Sequence, residues 1–323
     1  MGQKEFDVVA LGELLIDFIE YGASDQGNPL LEANPGGAPC NALAMLTRLG
    51  KKVAFIGKVG NDMFGRQLKE AVESVGIDTR NLVMDDQVHT TLAFVQKLAN
   101  GDRDFSFYRN PGADMMLTSQ EVQEELIKAS RVFHFGTLSS THEGVRQATR
   151  KALEIAKEND LIITFDPNLR PPLWSDLADA KAEIAYGMGY CDVLKISDNE
   201  MEFMTGTDDY DEGVKILREK YDIPLILVTL GPGGSRAYYK DLRVEAAPFL
   251  QENTIETTGA GDCFCGSAVN FVLEHGLDNL TENDLGELLT FANASASLVT
   301  TRKGALRVMP QKQEVLDFIA SRK

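Results

Sequence analysis

Thr257-Thr258-Gly259-Ala260-Gly261-Asp262 runs straight into Cys263-Phe264-Cys265-Gly266-Ser267-Ala268-Val269-Asn270-Phe271-Val272-Leu273, and this junction decides how the chain is read. A Gly-rich turn that opens a helix leaves backbone N–H groups without intrahelical partners. Those groups and the positive end of the helix dipole make an anion site. Asp262 stands at its edge. A carboxylate beside an anion hole is costly unless it has a task there, and one such task is taking the proton from a hydroxyl that attacks phosphorus. Read alone, the loop is equally an ordinary helix start with an acidic first turn. It is not a Walker A sequence, because no Gly-Lys-Ser/Thr follows.

Outward from this loop the chain alternates. Strands are predicted at 6–12, Lys52–Lys58, Val132–Phe135, Leu161–Phe165, Val193–Ile196 and Leu225–Leu230. Helices are predicted at Pro39–Leu49, Arg66–Val75, Gly144–Lys157, Asp211–Lys220, 262–275, 284–301 and 311–321. Thr118 with Glu121 forms a capping-box pattern ahead of Val122, Leu126 and Ile127. Strands alternating with helices imply a mostly parallel α/β sheet covered on both faces. Tyr238–Tyr239 and Arg243–Val244 suggest a short antiparallel addition.

One stretch breaks the alternation. Thr90–Leu98 and Phe105–Tyr108 flank Asn100-Gly101, a strong hairpin signal. A lone hairpin has too little core to stand by itself, so it should pack as a lid. Gly12 to Pro35 shows no helical period and is the expected source of the lid's other strands. Single cores stop growing at roughly 250–300 residues. The 323 residues are therefore read as one domain, 1–323, with a β-lid from about 12–35 and 90–112.

Composition narrows the function classes. The 32 basic and 49 acidic residues give a net charge of −17, which disfavours nucleic acid or an anionic membrane as partner. No apolar run approaches the ~20 residues of a membrane span. Phe6–Leu11 already reads as a strand rather than a leader. Cys40, Cys191, Cys263 and Cys265 show no zinc spacing and fit reduced thiols in a cytoplasmic protein.

Ligands of open α/β sheets bind beyond the carboxyl ends of the strands, and polar clusters follow several strand predictions. Asp166-Pro167-Asn168-Leu169-Arg170 follows Leu161–Phe165, and an extended chain would turn Asp166, Asn168 and Arg170 the same way. Lys195 ends another strand. Asn199 and Glu202 lie three apart on the helix after it, a spacing that shares one face and suits water-mediated Mg²⁺. Thr229-Leu230-Gly231-Pro232-Gly233-Gly234 fails as a dinucleotide fingerprint, because Arg236 replaces the last glycine and a strand follows. It remains either a nucleotide-approach loop or a hairpin turn. Gly36-Gly37 opens the first long helix and permits close backbone approach, while Asn41 offers the donor and acceptor that sugar hydroxyls require. His134, inside a strand, reads as a satisfied, half-buried histidine.

Singly these signals are weak. In this order they resemble the ribokinase-like (PfkB) carbohydrate kinases, and most closely the fructokinases among them. The carrying residues are Gly36-Gly37 with Asn41 through Gly50, Gly57 and Gly60, and Thr258–Asp262 with Gly266. Gly12–Phe18, Phe55–Gly60, Phe107–Met115, Asp166–Trp174 and Lys195–Glu200 add to it, so the resemblance covers nearly the whole chain. It implies a Rossmann-like domain with a β-lid over the sugar and transfer of the ATP γ-phosphoryl to a sugar hydroxyl with Mg²⁺. By motif it makes Asp262 the general base and Gly259, Ala260 and Gly261 the anion hole. Asp17, Gly36, Gly37, Asn41 and Arg109 fall in the sugar site. Asn168, Arg170 and Lys195 fall near the phosphates, Thr229, Gly231, Gly234 and Asn293 near the nucleotide, and Asn199 and Glu202 near Mg²⁺. Glu256 stands where the family usually carries Asp. With Thr258 it is placed at a monovalent-cation site, leaving K⁺ dependence open. Fructose or a related sugar is the implied substrate, and a homodimer through the lid is admitted. Rivals are a 2-keto-3-deoxygluconate kinase, another sugar or nucleoside kinase of the family, or a non-catalytic member.

Overall fold

The computed structural model describes residues 4–97 and 103–322. In chain order its strands are β1 (Phe6–Leu11), β2 (Leu15–Ala23), β3 (Pro29–Gly36), β4 (Val53–Gly60), β5 (Ile77–Asp85), β6 (Leu92–Lys97), β7 (Arg103–Tyr108), β8 (Ser130–Phe135), β9 (Ile162–Phe165), β10 (Val193–Ser197), β11 (Leu225–Thr229), β12 (Ser235–Tyr239) and β13 (Leu242–Ala246). The main sheet runs β13-β12-β11-β10-β9-β8-β1-β4-β5. From β11 to β5 neighbours are parallel, with Val8 opposite both Val53 and Val132; β12 and β13 add an antiparallel edge. This is the mixed α/β architecture expected of the alternation, with a second small sheet beside it.

β1 shows why the sheet must be covered twice. Val8, Val9, Ala10 and Leu11 are all fully buried. Val9 and Leu11 join the core on one face, Val8 and Ala10 the core on the other, as a period of two requires. The helices are α1 (Ala38–Arg48), α2 (Met63–Ser74), α3 (Glu124–Lys128), α4 (Glu143–Glu158), α5 (Leu177–Met188), α6 (Asp198–Thr205), α7 (Tyr210–Arg218), α8 (Ala260–His275), α9 (Glu282–Val299) and α10 (Lys312–Ser321), and those that matter most for the site are α1 and α8. They pack together on one face through Cys40, Leu43, Cys263 and Val269.

The second sheet has the order β3-β2-β6-β7. β2 and β3, and β6 and β7, pair antiparallel; β2 and β6 pair parallel, Ile16 opposite Leu92. Phe18 stacks on Phe94 at 4.9 Å across that join. The Asn100-Gly101 turn lies outside the described residues.

Several boundaries move. α2 (Met63–Ser74) starts three residues before the predicted Arg66, because Asp62 accepts a hydrogen bond from Gly65 N at 2.8 Å and caps it. β5 has no counterpart in the sequence reading. It is an edge strand whose polar Asp78-Thr79-Arg80-Asn81 run hides the alternation. The Thr118–Glu121 bonds form, at 2.8 and 2.9 Å, but they close a turn. The helix α3 begins later, at Glu124, and Lys58 also binds the Glu121 carboxylate at 2.8 Å.

Candidate active site

α8 begins after Gly259, whose φ is +78°. A side chain here would be strained in φ and would also meet the Ala305 methyl, since a Cβ would lie 2.6 Å from it. Asp262 sits in the first turn. Asn41, in the first turn of α1, donates from Nδ2 to Asp262 Oδ2 at 2.8 Å. Asn41 is buried, and its Oδ1 has no partner within the chain. A buried acceptor left so is costly, and a ligand hydroxyl would satisfy it. The N-termini of α1 and α8 thus converge on one carboxylate.

Gly36 and Gly37 are glycine for steric reasons. A Cβ on Gly36 would lie 2.1 Å from Asp17 Oδ2, and one on Gly37 would lie 2.4 Å from the Glu13 carbonyl oxygen. The glycine pair lets β2 bring the Asp17 carboxylate against the backbone that opens α1.

Two adjoining cavities meet at this point. One, of about 690 Å³, is lined by Glu13, Asp17, Gly37, Asn41, Glu256, Thr258, Gly259 and Asp262. The other, of about 810 Å³, is lined by Asn199, Glu200, Thr229, Gly231, Gly234, Ala260 and Asn293. Asn168, Arg170, Lys195 and Gly261 line both. The joint therefore carries two cations, the backbone of Gly261 in the first turn of α8 and, on the first side, Asp262. Gly261 admits Lys195: a Cβ there would lie 3.3 Å from the Lys195 ammonium.

The electrostatics are those of buried carboxylates offset by few cations. Burial raises Asp262 above the ordinary carboxylate range, against the Asn41 hydrogen bond and the charges of Lys195 and Arg170. Burial pushes Asp17 up to about 7, with Arg170 pulling it down. Glu13 is likewise pushed up to about 7 by burial. Lys195 is paired with Asp166 at 3.1 Å. Burial works against its charge, but Asp166 and Glu200 outweigh that and hold the ammonium above its ordinary value. His134 is buried, pushed down to about 4 and held at Nδ1 by Thr164 Oγ1 at 3.0 Å. It is a neutral structural group beneath the site.

Some residues sit otherwise than the sequence suggested. Arg109 is absent from the walls of both cavities. Its guanidinium is buried and spent on Asp114 Oδ2 at 2.6 and 2.9 Å, Thr141 Oγ1 at 2.7 Å and the Leu138 carbonyl at 3.0 Å. Glu202 is exposed and lines neither cavity. The buried carboxylate of that helix, α6 (Asp198–Thr205), is Glu200, which accepts from Leu169 N at 2.7 Å and Ser197 N at 2.8 Å. Asn168 has a φ of +46°, so the Asp166–Arg170 stretch is not extended throughout and the strict alternation of its side chains is broken. Asp166 turns inward to Lys195, while Asn168 and Arg170 face the joint. Asn293 lines the second cavity, but its amide ties Ser235 Oγ at 2.8 Å to the Ala246 and Ala247 carbonyls at 3.2 and 3.1 Å. Glu13 and Glu200 were given no role from sequence. Glu13 was findable, since it follows β1 directly; so was Glu200, the last residue of a Ser197-x-x-Glu capping box.

Among the described residues no cluster of three acidic, histidine or cysteine side chains is placed to hold a metal ion. The donors fit a cation that keeps its waters and arrives on phosphate oxygens, with Asn199 and Glu200 at its edge.

The model of the pfkB family carbohydrate kinases matches residues 5–312, and the chain belongs to that family. It is a phosphotransferase acting on a sugar hydroxyl. Fructokinase-1 of Zea mays is 40% identical over 314 residues, covering 97% of each chain. Fructokinase from Xylella fastidiosa with bound ATP superposes with a TM-score of 0.88 at 28% identity, covering 98% of each chain. A double-mutant fructokinase from Vibrio cholerae O395, bound to fructose, ADP and potassium ion, gives 0.86 at 28% identity, covering 99% of this chain and 100% of that one.

Proposed function

We propose that the chain is an ATP-dependent fructokinase that transfers the γ-phosphoryl group to the 6-hydroxyl of fructose, with Asp262 as general base. The observation that carries this reading is Asp262 at the joint of two cavities, held by Asn41 and flanked by an N–H hole and two cations. Asp17 and Asn41 take sugar hydroxyls. Asp262 takes the proton of the attacking hydroxyl. The N–H groups of Gly259–Gly261 and the charges of Arg170 and Lys195 stabilise the transferring group. Mg²⁺ on the nucleotide would neutralise phosphate charge when bound, with Asn199 and Glu200 nearest to it.

The sugar-side cavity argues for a neutral sugar. Glu13, Asp17, Glu256 and Asp262 line it, and its cations, Arg170 and Lys195, stand at the phosphate joint. Arg109, the clamp an acidic sugar would need, is consumed by Asp114. A panel of sugars at fixed ATP, read by ADP release, tests the reading. Fructose should give the highest kcat/KM; a higher value for 2-keto-3-deoxygluconate or ribose overturns it.

The four-stranded sheet, from segments 12–35 and 90–112 of a single kinase domain, acts as the lid. Its exposed Tyr21, Leu30, Leu31 and Tyr108 support a homodimer through that sheet. Glu256 and Thr258 form the monovalent-cation site. All four cysteines are free and buried, which supports a reducing, cytoplasmic setting. No helix among the described residues is long and apolar enough to cross a membrane.

A further inference from the structure

Glu13 is a buried carboxylate that the proposed chemistry does not use. It stands at the corner after β1, 25 positions before the residue it binds: its Oε1 accepts from Ala38 N at 2.8 Å. Ala38 is the first residue of α1, and that helix has no side-chain cap of its own, because its N-cap is Gly37. The next residue, Pro39, has no N–H to satisfy. Glu13 therefore takes an otherwise orphaned donor of the first turn, as a cap does, but from a different element. Two further contacts clamp the same corner to the same turn. A Cβ on Gly12 would lie 2.5 Å from Pro39 Cγ, and a Cβ on Gly37 would lie 2.4 Å from the Glu13 carbonyl oxygen.

This turn sets the site. Asn41 lies three residues after Ala38, with its own N–H bonded to the Gly37 carbonyl at 3.0 Å. Its amide holds Asp262 Oδ2 at 2.8 Å. A shift of the first turn moves Asn41 and the Gly36-Gly37 backbone together, and so moves both the base and the sugar-facing wall. We propose that Glu13 is a positioning residue: it caps α1 from the end of β1 and, through Asn41, fixes Asp262 and the sugar. The requirement is for an acceptor at Ala38 N, not for a charge. This rests on Asp262 being the base for a sugar hydroxyl.

The test compares Glu13→Ala and Glu13→Gln in the full chain. Wild-type turnover of fructose is measured first, so failure of the kinase reading would show there, before any variant is compared. Glu13→Ala should lower kcat/KM for fructose roughly 10-fold, the scale of one lost cap, with the KM for ATP within about twofold, because Glu13 does not line the nucleotide-side cavity. Glu13→Gln keeps an acceptor oxygen and should recover most of the loss. Amide exchange at Ala38, Cys40 and Asn41 should quicken in the alanine variant and not in the glutamine variant. In an Asn41→Ala background the Glu13→Ala effect should shrink, since a residue acting through another is not additive with it. Unchanged fructose kinetics in Glu13→Ala would overturn the proposal, as would an equal rise in the KM for ATP. A glutamine variant as impaired as the alanine one would overturn it too, because the charge would then be what matters. If Glu13→Ala does not fold, Glu13→Met, which keeps the side-chain length and removes the acceptor, takes its place in every comparison.

Discussion

At the scale of the residue, the proposed chemistry rests on Asp262. A sugar hydroxyl has a high pKa and must lose its proton as the bond to phosphorus forms, so the reaction needs a base, the role proposed for the ionised form of Asp262. Asp262→Asn keeps the size and the contact with Asn41 but cannot take a proton. We expect kcat to fall by about 10²–10⁴-fold, while ATP binding, read by calorimetry, persists. A variant with near-normal kcat would remove the base from the mechanism. Glu256 makes a different prediction. Its Oε1 accepts from Gly304 N at 2.5 Å, so its longer side chain is fitted to that loop and a shorter one would not reach equally. Glu256→Asp should change the K⁺ concentration for half-maximal rate more than it changes kcat at saturating K⁺. The reverse pattern would exclude Glu256 from a cation site. The settings of candidate groups were legible in sequence where one loop supplies both the group and its surroundings, as at Gly259–Asp262. They were missed where a partner comes from afar: nothing near Arg109 announces that Thr141 and Leu138 will join Asp114, five residues on, in binding it, and nothing at Glu13 announces Ala38.

At the scale of the element, the four-stranded sheet proposed as the lid is the part whose movement would matter. Its two halves join through the β2–β6 pairing and the Phe18–Phe94 stack, so they should move as one sheet. Closure over the sugar would exclude water, which otherwise competes for the phosphoryl group. Amide exchange in β6 and β7 should slow when fructose is added; unchanged exchange at saturating sugar would count against closure. The same sheet exposes Leu30 at 46% and Leu31 at 44%, on its β3 edge strand. Leu31→Asp should lower the sedimentation mass if the sheet joins two copies, and a wild-type monomer at micromolar concentration would end that reading. The alternating helices and strands were legible because buried parallel strands are short apolar runs between helical periods. β5 was not, because an edge strand need bury only part of one face. The Asp166–Arg170 stretch was misread because one left-handed residue, Asn168, breaks the alternation that an extended chain would impose.

At the scale of the whole molecule, the site concentrates negative charge on a chain that already carries −17. Asp17 and Glu13 both have folded-state values pushed up to about 7, from 3.8 and 4.5. For such groups the native state holds protons that the unfolded chain has released. Their stabilising contribution is complete below the unfolded values and is lost as the pH rises through about 7. His134 opposes them in part. It is pushed down from 6.5 to about 4, so the unfolded chain takes its proton first as the pH falls below 6.5. Three carboxyl groups losing protons near 7, Asp17, Glu13 and the Lys195-paired Asp166, outweigh one histidine gaining one in the unfolded state, and general repulsion on a −17 chain also grows with pH. The ligand-free protein should therefore melt at a higher temperature near pH 6 than near pH 8. Asp17→Asn removes one of these titrations and should lessen the slope, whereas a surface substitution such as Asp25→Asn should not. Calorimetry across that window, without sugar or nucleotide, measures it. A melting temperature that rises from pH 6 to pH 8 would mean that Asp17 and Glu13 are ionised in the empty site, with cations or waters to hold them. In that case the sugar would enter a fully charged pocket, and its hydroxyls would meet carboxylates rather than carboxylic acids.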